Sequence, residues 1–349
     1  MLLAFIGHAM LAARFLSQMF SFLFQRAALA ALVASLLSPA LRAVEEEPKV
    51  ARAEPVAVVD VTTRAQIFLD QQLFGPGKID GRPGEFLTKA LIRYQRAHGL
   101  PETGQVDANI PLDSVFPVYT MYTFTEGDMK FVGECPTKPA EQEKKKFLPY
   151  VDLLEFVCER YHVSPDFMVK INKGVKLNDL RPGDTVRVPN VEPFKMEELP
   201  KQGNLPDQPQ YKQRVINIHR GEKMLDLYEG DKLIAAVPIT PGVQNGGAKE
   251  TPPGQWRILG IAAMPTFRWD EGVLNHGVRT DTAFNLPSGP NNPVGVCWIG
   301  LNKPGIGIHG TNNPETIGRA ASHGCMRVAN WDVIRLSKLI TKGMTVNIE

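Results

Sequence analysis

Apolar positions along this chain change period twice, and each change marks a different kind of structure. Ala65, Ile67, Phe68, Leu69 and Leu73, and then Phe86, Leu87, Ala90, Leu91, Tyr94 and Gln95, follow helical spacing. That spacing predicts two amphipathic helices, each with one face on a core. Thr62 or Thr63 stands where the first helix needs an N-cap, and Gly75-Pro76-Gly77 breaks it. His98-Gly99 ends the second helix, and Gly104 marks a turn. Two shorter helices are expected over Asp152–Tyr161 and Asp166–Asn172, separated by Ser164-Pro165, with a strand near Thr185–Pro189. From Arg214 the period falls toward two. Strands are expected over Val215–Ile218, Lys223–Tyr228, Lys232–Ile239, Gln255–Leu259, Val294–Leu301 and Gly307–His309, with turns at Glu229-Gly230-Asp231 and Pro241-Gly242. One helix stands out among them, Trp331–Ile340, with Asn330 as its cap and Gly343 at its close. The fold class is therefore multidomain α+β, with a mainly-β sandwich or barrel-like domain at the C-terminus.

Polar stretches set the boundaries. Glu141–Lys146 reads as a solvated surface turn. Glu192–Gln210 carries four prolines among polar residues and reads as a linker with no core of its own. The expected organisation is 1–43 targeting segment, 44–57 linker, 58–112 helical module, 113–146 connector, 147–191 second module, 192–212 linker and 213–349 third domain. At the N-terminus Arg26 precedes the apolar run Ala27–Leu37, and Pro39 and small residues lead to Ala43 before Glu45–Glu47. This is the layout of a secretory signal peptide. The run is shorter than the roughly 20 apolar residues a bilayer span requires. Met19 opens a better-proportioned signal and is the expected start of translation; an uncleaved anchor over 2–37 is the competing reading. Export places the protein in the periplasm or cell envelope, with no other membrane association expected.

Composition adds exclusions more than assignments. With 22% charged residues and a net charge of +2 over 349 residues, nothing favours nucleic acid as a partner. An oxidising compartment allows the four cysteines, Cys135, Cys158, Cys297 and Cys325, to pair. Spacing leaves their connectivity open. If Cys325 stays a thiol, Cys135–Cys158 is the favoured bridge, while Cys297 reads as a small buried apolar residue.

The chemistry concentrates in GIGIHGTNNPETIGRAASHGCMRVANWD, residues 305–332, where His309, His323 and Cys325 converge. A thiol needs a base or a positive charge nearby before it attacks, and histidine supplies a proton acceptor near neutral pH. Gly324 permits a tight bend that can aim successive backbone N–H groups at one spot, as acyl transfer requires. A zinc site is the rival, but the set lacks metal-binding spacings, so no metal and no cofactor is implied. His219, His276 and Cys297 read as packing residues, and Trp256, Trp269 and Trp298 as core by default. Ala262–Pro290 reads as a loop over the site.

These residues carry resemblances. FLDQQLFGPGKIDGRPGEFLTKALIRYQRAHGLPETGQVD resembles the peptidoglycan-binding domain 1 family, a three-helix module. VDLLEFVCERYHVSPDFMVKINKG with LRPGDTVRVPNV is similar to a LysM domain, a βααβ module that binds glycans, although its opening strand is poorly marked and Cys158 is unusual there. His309-Gly310-Thr311 and Ser322-His323-Gly324-Cys325-Met326-Arg327 resemble the L,D-transpeptidase (YkuD-like) catalytic domain, supported by Thr251-Pro252-Pro253-Gly254 and Asn292-Pro293-Val294-Gly295. The last resemblance implies Cys325 as nucleophile and His309 as general base, with the Gly310 carbonyl orienting its ring. His323, Gly324 and Cys325 would give N–H groups to the oxyanion, Ser322 would position the turn, and Arg327 would hold the loop or meet a substrate carboxylate. It implies peptidoglycan, stem peptides and glycan alike, as partner. A tetrapeptide stem would form a thioester and release D-alanine, and an amine would resolve it to a 3→3 crosslink or a protein attachment. Water in place of the amine would make an L,D-carboxypeptidase. A degenerate, non-catalytic wall-binding protein is the alternative of another class.

Overall fold

A computed structural model describes residues 61–243 and 249–349. The targeting segment and first linker lie outside the described residues. Helices α1 (Val61–Gln71) and α2 (Glu85–Ala97) form the first module. Ile67 and Leu69 are fully buried, and Phe68 and Phe74 each meet Tyr94 edge to face, at 5.0 and 5.7 Å. Thr62 and Thr63 lie inside α1 and do not precede it, and Thr63 is buried. The third helical element of this module is a single 3₁₀ turn at Leu112–Ser114.

The second module has the order strand, helix, helix, strand. Strand β1 (Tyr119–Thr123) pairs antiparallel with β2 (Thr185–Pro189), and helices α3 (Leu153–Arg160) and α4 (Pro165–Ile171) lie between them. Asp152 caps α3 by accepting the Glu155 N–H, and Ser164 caps α4 by accepting that of Phe167. The opening strand thus falls in the segment read as a connector. About thirty residues separate it from α3, far beyond the short connections that usually join neighbouring elements, so the pattern around α3 gave no sign of it. Cys158 is buried on α3, while Cys135 lies in the preceding loop with its sulfur against the Pro136 carbonyl. All four cysteines are free thiols, so the Cys135–Cys158 bridge is not formed.

Glu192–Gln210 is a strap. Phe194 and Met196 are buried, and the Phe194 N–H donates to the Arg160 carbonyl at 2.7 Å. Strand β3 (Gly203–Asn204) joins the main sheet, and Gln208 reaches the Ser337 and Ile340 carbonyls. Four prolines hid the apolar positions between them.

The C-terminal domain is a curled β-sheet built from β4 (Val215–His219), β5 (Met224–Glu229), β6 (Lys232–Pro238), β7 (Gly254–Ala263), and later strands β10 (Cys297–Leu301), β11 (Gly307–His309), β12 (Met326–Arg327) and β13 (Thr345–Ile348). Its order is β12-β11-β10-β7-β13-β4-β5-β6, with β3 added beside β7. The long β7 links the two halves, pairing β13 through its first residues and β10 through its last. Strands β8 (Phe267–Trp269) and β9 (Phe284–Leu286) pair with each other across α5 (Glu271–His276), so the expected loop is an ordered flap. Val294–Val296 form a turn and do not begin β10. Helix α6 spans Asn330–Ser337, and Asn330 is not its cap: the side chain turns inward to other work. Cys297 is fully buried, as expected. His276 is exposed, and His219 pairs with Asp226 and Glu349, so neither is a packing residue.

One buried cluster ties the modules together. Asp70 on α1 accepts from Arg335 on α6 at 2.8 Å and meets His162, which follows α3, at 2.9 Å; Trp331 stacks on that imidazole at 4.9 Å. Burial alone would raise the Asp70 pKa, but His162 and Arg335 outweigh it and hold the carboxyl well below its usual range. Arg335→Leu leaves the buried Asp70 charge without its guanidinium partner, and a chemical denaturation curve should show a loss of about 3–5 kcal/mol. Because the folded pKa is depressed, the Asp70 contribution is present above the unfolded value of roughly 4 and fades as pH falls through the folded value. The wild-type advantage over Asp70→Asn should therefore shrink at low pH.

Candidate active site

Strands β11 and β12 run side by side and parallel, with Ile308 opposite Met326 and His309 opposite Arg327. Cys325 directly precedes Met326, so it stands opposite Gly307. Alternation along a strand then puts the side chains of Cys325, His309 and Arg327 on one face. Cysteine and histidine are diagonal neighbours, a separation on the order of 7–8 Å between their backbones. Gly307 lies between them with no side chain; a Cβ there would fall 2.7 Å from the Trp298 ring. Trp298 uses that space to stack on His309 at 5.3 Å.

Each group is held by its neighbours. His309 Nδ1 donates to the Gly310 carbonyl at 2.6 Å, which leaves the Nε2 lone pair as acceptor. Burial pushes the imidazole pKa down to about 4, against the Gly310 bond and with help from Arg327. The Cys325 thiol donates to the Gly305 carbonyl at 3.3 Å, so its partner in this state is a backbone oxygen and not the imidazole. Burial pushes the thiol up to about 11, while the Gly307 N–H and Arg327 pull the other way. At neutral pH the pair is thiol and neutral imidazole.

The turn before Cys325 is clamped from both sides. Ser322 Oγ donates to the Cys325 carbonyl and accepts the Gly324 N–H at 3.1 Å. Thr251 Oγ1 donates to the Gly324 carbonyl at 2.8 Å and accepts the Gly242 N–H. Thr240 and Arg327 exchange backbone hydrogen bonds at 2.8 and 3.0 Å. Gly324 has φ +110°, a conformation that side-chain-bearing residues rarely adopt. Its N–H was expected to face the reacting carbonyl; here it faces Ser322. His323 is exposed at the rim. Arg327 Nη2 donates to the Ala321 carbonyl at 2.8 Å, and its buried Nε has no partner among the described residues.

Asn330 was missed as a site residue. Its Oδ1 accepts the Val296 N–H at 3.1 Å, and a Cβ on Gly295 or Gly310 would fall 2.1 Å from it. It therefore packs directly under the peptide that orients His309. An asparagine at the start of a helix looks like a cap in sequence, and nothing local reveals the inward turn. Thr240 left no signal either, because its partners are far away in the chain.

Cys325, His309, His323 and Arg327 line a cleft of about 900 Å³, which Phe267 and Trp269 of the flap also line. Trp298 and Trp269 line this cleft and are only half-buried; Trp256 is also half-buried, its N–H on the Pro252 carbonyl. Among the described residues no group of three or more His, Cys, Asp or Glu is placed to hold a metal ion.

Residues 213–348 match the family model of the L,D-transpeptidase catalytic domain, and residues 61–110 match a "Putative peptidoglycan binding domain". The chain is 26% identical over 197 residues to "Putative L,D-transpeptidase YkuD" of Bacillus licheniformis, covering 56% of this chain and 93% of that protein. It is 32% identical over 200 residues to "Probable L,D-transpeptidase YbiS" of Escherichia coli K12, covering 55% of this chain and 58% of that one. Among solved structures it is similar to an L,D-transpeptidase from Mycobacterium smegmatis, with 14% identity, 39% of this chain and 58% of that chain covered, and a TM-score of 0.31. The Bacillus match is too long to lie within the C-terminal domain alone and reaches into the second module. The class of this enzyme is L,D-transpeptidase.

The raised thiol makes a direct prediction. Alkylation of Cys325 by iodoacetamide should be slow at pH 7 and climb with each pH unit toward about 11, without a plateau below pH 8. Mass spectrometry of the modified peptide measures it; a plateau near pH 6 would mean a preformed thiolate.

Proposed function

We propose that this chain acts on peptidoglycan tetrapeptide stems through a thioester on Cys325, outside the cytoplasmic membrane. The carrying observation is the shared face of β11 and β12, where the thiol and the free Nε2 of His309 open on one cleft. As the sulfur adds to the acyl carbonyl of the donor stem, His309 takes the thiol proton. The developing oxyanion would be met by backbone N–H groups of the His323–Cys325 turn, chiefly that of Cys325, since Gly324 is engaged by Ser322. Collapse of the adduct breaks the amide bond, and the imidazolium returns its proton to the departing D-alanine amine. An acceptor amine then attacks the thioester, gives its proton to His309, and releases the cysteine with a 3→3 crosslink or an attached protein. The paired values near 4 and 11 favour proton transfer during attack over a standing ion pair.

The first module would hold the wall, as its domain match suggests. The second, with its βααβ order, would hold glycan in the manner of a LysM domain. Signal-directed export would place all three beside the polymer, where attachment raises local substrate concentration. Cys325→Ala should abolish D-alanine release from disaccharide-tetrapeptide while pull-down on isolated wall stays at the wild-type level. Continued release by that variant would defeat the assignment.

A further inference from the structure

The helical module does more than sit beside the catalytic domain: it presses on the loop that joins the base to the nucleophile. Phe86 of α2 packs against Gly318, where a Cβ would fall 2.0 Å from the ring. Lys78 pairs with Glu315. From the other side Lys223 Nζ donates to the Gly318 carbonyl at 2.6 Å, and Thr240 Oγ1 accepts the Gly318 N–H at 2.7 Å. A second cleft of about 240 Å³ opens along this seam, with walls from 66–87 on one side and 314–319 on the other.

The charges in that cleft are unbalanced in their pairing. Its acids are engaged: Glu315 with Lys78, Glu85 with Lys89, and Asp80 with Gln66. Arg82 and Arg319, one from each wall, are exposed, and their guanidinium groups have no partner among the described residues. Burial lowers the Lys78 pKa, Arg319 and Arg82 add to that shift, and Asp80 and Asp166 oppose it, so both guanidiniums lie within electrostatic reach of Lys78. Two unpaired guanidiniums facing one polar cleft suit carboxylates, which they grip through paired N–H donors.

We infer that this seam is a second stem-peptide site, in which Arg82 and Arg319 take carboxylates of a peptidoglycan stem while that peptide rests on the 314–319 loop. The inference rests on the proposed action on stem peptides. It gives the helical module a role in presenting substrate beside the catalytic loop, in addition to attachment. The site is distinct from the Cys325 cleft, so it remains open when the sulfur is acylated.

The test uses the full-length protein acylated at Cys325 by a carbapenem, which blocks the catalytic cleft. Disaccharide-tetrapeptide is then titrated, with calorimetry for affinity and amide shifts of Gly318 and Arg319 for location. Binding should persist and shift those amides, and Arg82→Gln with Arg319→Gln should weaken it about tenfold or more. The rate of carbapenem acylation should stay within about twofold of wild type in that double variant, since its residues lie outside the catalytic cleft. Loss of all tetrapeptide binding on acylation, or unchanged affinity in the double variant, overturns the proposal. So does equal displacement by inorganic phosphate, which would make the seam a general anion site. Failure of Cys325 to acylate would count against the transpeptidase chemistry alone; the same titration on Cys325→Ala would then decide the seam.

Discussion

A single buried carboxylate sets the arrangement of the described chain. Asp70 comes from the first module, His162 from the second and Arg335 from the catalytic domain, and the carboxylate is 1% exposed. An isolated charge so placed would be prohibitively costly. The cost is offset only when all three modules are docked, because each supplies one side of the cluster. Breaking any contact leaves either a buried anion without its cation or an imidazole stacked on Trp331 without its acceptor. Such clusters add little net stability over apolar packing, but they discriminate strongly against misdocked arrangements. The modules are therefore held in a fixed relation, where the proline-rich strap had suggested a loose tether. A second pairing repeats the logic: Arg93 of α2 bonds the fully buried Asp226 on β5.

Fixed docking bears on chemistry because of where the contacts land. Helix α6 carries Arg335 and Trp331 into the cluster, and it begins with Asn330, whose side chain packs under Gly310. The Gly310 carbonyl in turn holds His309 Nδ1. One short helix thus connects the three-module junction to the tautomer of His309. Gly295 and Gly310 have no room for a side chain against Asn330, so the orienting peptide has little freedom to shift.

The parts of the candidate site lie close in the chain, which is why the motif could be read from the sequence. His309, Ser322, His323, Gly324, Cys325 and Arg327 fall within nineteen residues, and parallel pairing of two adjacent short strands brings them together with little rearrangement. The helices were legible for the same reason, since helical spacing is local. What stayed hidden depends on distant partners. Strand β1 is recognisable only beside β2, more than sixty residues later. The ordered flap depends on pairing between β8 and β9, and each is only three residues long. Asn330, Thr240 and the Asp70–His162–Arg335 cluster are ordinary polar residues until tertiary packing assigns them partners. Buried thiol Cys158 shows the converse: spacing left its pairing open, with Cys135 the favoured partner, and the core around α3 claimed it instead.

The neutral state of the Cys325–His309 pair follows from how the site is built. Trp298 covers the buried imidazole, Gly307 lets it do so, and the half-buried sulfur lies on the same face. Burial disfavours charge on either group, so it lowers one pKa and raises the other. An ion pair there would need the two charges in close contact to recover their lost hydration, and the thiol instead faces the Gly305 carbonyl. Arg327 is a cation on this face, and it acts on both groups in the sense that favours thiolate and neutral imidazole. The same burial strengthens any hydrogen bond offered to a transient oxyanion. Burial around the pair thus holds the sulfur in its protonated form and the imidazole in its neutral form.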